Sequence, residues 1–131
     1  MNVERLETLK QYIMKLPFET DSHAHSLDMS VVFHRDKQNY GCPACLAGYT
    51  VWLFDGKNYD EKVKGFLAFE NASSLLDLSD ETGPGLFCLK GIDRKNWKEI
   101  TIKKAAQAID NVISGEKPDD IWKHVKGKQN D

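Results

Sequence analysis

Apolar positions at three- and four-residue spacing recur along most of the chain. Val3, Leu6, Leu9, Ile13 and Leu16 stand among charges and predict an amphipathic helix over residues 3–16, ended near Pro17. Residues 18–26 are polar and turn-like. Met29, Val31, Val32 and Phe33 then form a short apolar run whose β-branched content favours a strand over a buried helical turn. After a polar loop at 36–41, Pro43 stands where a first helical residue would, its missing amide hydrogen costing nothing there. A helix from Pro43 to about Phe54 would align Cys45, Tyr49 and Trp52 on one stripe, with Leu46 and Leu53 beside it. Residues 55–58 supply a turn.

A second amphipathic pattern covers 60–76, with Val63, Phe66, Leu67, Leu75 and Leu76 inward. Ser79 reads as a helix cap followed by acids, but Gly83-Pro84-Gly85 limits any helix there to a turn or two. Leu86, Phe87 and Leu89 make another short apolar cluster, and 91–98 reads as a loop anchored by Trp97. The clearest helix starts at Thr101 as cap, carries Ile102, Ala105, Ala106, Ile109, Val112 and Ile113 on one face, and closes at Gly115. Pro118 opens a short terminal helix. The expected fold is mainly α: a small compact bundle of about four to five helices. It leaves room for a short strand or hairpin near residues 29–34 and 86–90. Residues 1–131 are expected to form a single domain with a flexible C-terminal tail from about 125, and Lys123, Lys126 and Lys128 around His124 and Gly127 read as a solubilising terminus.

Composition narrows the function classes. With 131 residues the chain can bury a core without covalent staples, and 40% hydrophobic and 29% charged residues are ordinary for a soluble globular domain. The formal charge of -2 is mixed along the length, with no basic stripe for phosphate neutralisation, so a nucleic-acid partner is disfavoured. No apolar run approaches the roughly 18 residues of a membrane span. The first residues, acidic and amphipathic, are neither a signal nor a transit peptide. Three cysteines, Cys42, Cys45 and Cys88, suit a reducing compartment, and a cytoplasmic location is expected.

Candidate chemistry centres on Cys42-Pro43-Ala44-Cys45. The spacing is that of thiol-disulfide oxidoreductases, in which the first thiol sits at a helix N-terminus and the amide dipoles favour its thiolate. It resembles the glutaredoxin type, which also has proline after the first cysteine, and Pro84 lies about where such proteins carry a cis-proline. The strand leading into the dithiol and the strand-helix alternation after it are missing. Zinc is a second reading: Cys42, Cys45, Cys88 and His34 could form a mixed site, although a structural site commonly draws on two close pairs. Cys45 or Cys88 with His34 could also form a thiol-imidazole pair. His23-Ala24-His25 suits an exposed turn, and Asp60 and Glu61 complement a helix start rather than forming an acid-base pair. Gly83-Pro84-Gly85 lacks the lysine of a phosphate loop, and Trp52, Trp97 and Trp122 read as core or rim anchors. Packing is the leading account of the cysteines, because two small apolar thiols on one helix face belong in a core and Ala47 and Gly48 admit a close neighbour.

Asp28-Met29-Ser30, Cys45-Leu46-Ala47-Gly48, Leu76-Asp77-Leu78-Ser79-Asp80-Glu81, Leu86-Phe87, and Thr101 with Ala105 and Ala106 together resemble a loose group of small uncharacterised bacterial and phage proteins. That group shares a Cys-[Ile/Leu]-Ala-Gly helix motif, and the likeness spans about residues 28–115. Its first cysteine falls earlier, at the place of Asn39-Tyr40-Gly41, so Cys42 lies outside the shared pattern. The resemblance implies a mainly helical fold without an assigned activity. The expected function is a small non-enzymatic binding or accessory protein with a protein partner and no cofactor. The alternatives are a Cys42/Cys45 dithiol oxidoreductase and a zinc-stabilised binding module.

Overall fold

The computed structural model describes residues 1–15, 45–56 and 67–125. The fold is mainly helical: α1 (Val3–Met14), α2 (Leu46–Asp55), α3 (Leu67–Leu75), α4 (Thr82–Phe87) and α5 (Ile102–Ile113), with 3-10 turns at Arg94–Glu99 and Pro118–Asp120. α1 packs on α5, α2 on α3, and α4 touches α3, α5 and the Pro118–Asp120 turn.

Several helix ends rest on local chemistry. Asn2 caps α1 by accepting from the Arg5 amide at 3.0 Å, and Thr101 caps α5 by accepting from the Lys104 amide at 3.2 Å. Such a cap contributes about 1 kcal/mol. Ser79, expected as the helix cap, accepts from the Thr82 amide at 3.0 Å, but the cap residue of α4 is Glu81, whose side chain makes no capping bond. Three helices close alike: a left-handed residue follows the last turn, and the next amide reaches back five residues. After α5 that residue is Gly115, φ 83°, where glycine adopts the angle freely. After α3 and α4 it is Asp77, φ 54°, and Leu89, φ 46°. The left-handed conformation costs about 1–2 kcal/mol for a residue with a Cβ. Leu89 is fully buried, and burying a leucine returns about 1.5–3 kcal/mol, enough to hold it there.

Leu6, Leu9 and Ile13 form the buried stripe of α1, whereas Val3, expected inward, is 43% exposed. The N-terminal end of α1 clasps the end of α3 instead. The Asn2 amide donates to Leu76 O at 2.8 Å, Arg5 Nη1 donates to Leu75 O at 2.8 Å, and the Arg5 guanidinium lies 5.0 Å over the Phe54 ring of α2. Tyr12 and Tyr49 join α1 to α2, ring centroids 5.6 Å apart.

Lys10 Nζ donates to Asp110 Oδ1 at 2.9 Å, tying α1 to α5. That hydrogen bond holds the Lys10 ammonium above its ordinary value of 10.5; desolvation opposes it, and the charges of Asp110 and Glu7 add to it. A value raised on folding contributes stability that is complete below the unfolded lysine value and is lost as pH climbs through the higher folded one. Urea midpoints measured between about pH 9 and pH 12, around the lysine range, should therefore fall more steeply for the natural chain than for Lys10→Met. Parallel slopes would show that the tie carries no such linkage.

Several expectations change in three dimensions. α2 begins at Leu46 with Cys45 as its extended cap residue, three positions after the start expected at Pro43. Pro43 itself lies outside the described residues, as do the strand expected near 29–34, the helix end at Pro17, residues 60–66 of the second amphipathic helix and the tail beyond Val125. The strand or hairpin near 86–90 is replaced by the end of α4 and a turn, because Leu86, Phe87 and Leu89 are buried by helix contacts rather than by pairing. No strand occurs among the described residues. Residues 94–99, read as loop, wind into a 3-10 turn, and Trp97 anchors it by donating from Nε1 to Ile92 O at 3.0 Å.

Candidate functional site

The cysteine motif meets the described structure only at its second half. Cys45 is 2% exposed, and Leu46, Ala47, Tyr49, Thr50 and Val51 after it are all buried. Its carbonyl accepts the first intrahelical bond, from the Tyr49 amide at 3.0 Å. Thr50 Oγ1 satisfies itself inside the core by donating to Leu46 O at 2.7 Å. Thiol-disulfide exchange needs access to the attacked sulfur, so a thiol this buried is closed to bulky disulfides. Of the expected stripe, Cys45 and Tyr49 are buried, while Trp52 is 50% exposed. The rotation of α2 is set by its first two turns, which face α3 and α1.

Cys88, the proposed third thiol, follows α4 as its cap residue and is half-buried. It lines an open cleft of about 600 Å³ between α4 and the Pro118 turn, with Pro84 and Pro118 as apolar walls and Asp80, Glu81, Lys90, Lys117 and Asp119 among the lining. Lys90 Nζ and Asp119 Oδ1 pair at 2.9 Å, both side chains more than half exposed. With acids and lysines mixed in its lining, the cleft presents no strong field of one sign, and an exposed pair of this kind contributes about 0–1 kcal/mol. Pro84 occupies the first turn of α4, where its missing amide is tolerated. It is a helical residue here, in place of the loop cis-proline that a glutaredoxin-like reading expects.

Cys42, His34, His23, His25, Asp60 and Glu61 lie outside the described residues. Cys45 and Cys88 stand on different elements, at the start of α2 and the end of α4. Among the described residues no three His, Cys, Asp or Glu side chains converge in a way that could hold a metal ion.

Two polar residues with defined roles escaped the sequence reading. Asn111 sits on the apolar face of α5, 7% exposed, and donates to Ile121 O at 2.8 Å. His124, read as part of a solubilising end, is half-buried and hydrogen-bonded to α5. An asparagine amid Ala105, Ala108, Ile109 and Val112 was the available signal, since a polar group on such a face must find a partner. Trp122, read as an anchor, is fully buried and donates from Nε1 to Gly85 O and Leu86 O, each at 3.1 Å.

No helix among the described residues is long and apolar enough to cross a membrane. No protein family, curated protein or solved structure matches the chain.

Proposed function

We propose that this chain is a small non-enzymatic accessory protein, of the bacterial or phage type its Cys45–Gly48 pattern resembles, that binds another protein in the cytoplasm. The observation that carries the reading is Trp52, a large aromatic side chain left 50% exposed on a helix whose first two turns are buried. Tryptophan is enriched among the few residues that dominate protein interfaces, because one rigid ring buries much area at little entropic cost. The near-neutral charge of -2 fits a protein partner better than a polyanion.

Trp52→Ser tests the proposal. A tagged chain should capture a stoichiometric partner from the lysate of its own host, and the variant should lose it by about 10-fold or more, as for truncation of an interface anchor. A cooperative urea transition retained by the variant shows that the lost capture is not a lost fold. Equal capture by parent and variant overturns the assignment to Trp52. Fast alkylation of Cys42 with a midpoint well below about pH 8 would move the chain to the dithiol reading.

A further inference from the structure

We draw no further inference here: the strongest candidate, the open cleft between α4 and the Pro118–Asp120 turn lined by Asp80, Glu81, Cys88 and Lys117, carries nothing because its charges are mixed, no buried side-chain nitrogen or oxygen among the described residues is left without a partner to aim at a ligand, and nothing in the structure shows what covers it.

Discussion

Trp122→Ala is expected to lower stability by about 3–5 kcal/mol, the cost of emptying a fully buried aromatic site, read as a fall in the urea midpoint at unchanged slope. Trp122 is the largest fully buried side chain among the described residues. Its indole N–H serves Gly85 O and Leu86 O, 3.1 Å each, at the end of α4. The side chain thus does two things: it fills the space beneath the Pro118 turn and donates to carbonyls that end the helix. Trp122→Phe separates them. It keeps most of the volume and removes the donor, so it should lose about 1–3 kcal/mol, the range for a buried polar group deprived of its partner. Equal losses for the two variants would show that volume contributes little and would refute the packing account.

Gly83→Ala should cost about 1–3 kcal/mol, as overpacking does, even though alanine is the better helix former by about 1 kcal/mol. A Cβ on Gly83 would meet Ser73 Oγ and come within 2.9 Å of Ser73 Cβ. The hydroxyl can rotate away but the Cβ cannot, so α3 and α4 would have to separate. Ser73→Gly removes both atoms and leaves only Ser73 Cα, 3.9 Å from the new methyl. The double variant should therefore recover at least about 1 kcal/mol relative to the sum of the single ones, a coupling typical of residues in contact. Additive losses would mean that the close approach of the two helices is not what glycine secures. Gly85 works on the opposite side, where a Cβ would stand 3.1 Å from Ile121 Cδ1 and 3.2 Å from Pro118 Cβ.

The same segment shows where sequence reading stops. Gly-Pro-Gly within six residues is a poor local recipe for a helix and reads as a turn. It nevertheless lies in α4, because the two glycines let α3 and the terminal segment approach closely while the proline occupies a first-turn site that needs no amide. The helix exists through its neighbours. Likewise the apolar Leu86-Phe87-Cys88-Leu89 run cannot reveal whether it is buried by strand pairing or by helix packing, since a short run has no period long enough to distinguish them. α1 and α5 were legible because three turns of spacing, with Asn2 and Thr101 in place as caps, leave one consistent reading; Asn2 itself went unread.

The candidate site divides in the same manner. That Cys45 begins a buried helix follows from its company, Leu46, Ala47 and Gly48, and the structure has it 2% exposed. That Trp52 turns outward does not follow, because its place seven residues after Cys45, about two turns into an apolar helix, puts it on the expected stripe. The direction is set by how α2 rests on α1 and α3. His124 and Asn111 are farther still from sequence inference: they lie 13 residues apart, and only the fold of the terminal segment back over α5 makes donor and acceptor meet.

By itself, then, the sequence determined the helical class, the two longest helices with the cap and closing residue of α5, and the burial of Cys45. These depend on neighbours within a few residues, through periodicity, side-chain caps and backbone angles. The tertiary structure alone decided that a Gly-Pro-Gly segment is helix, that Leu89 holds a left-handed angle, that Trp52 faces outward and that His124 meets Asn111. Each is set by contacts between residues far apart in the chain, whose energies exceed the local preferences they override.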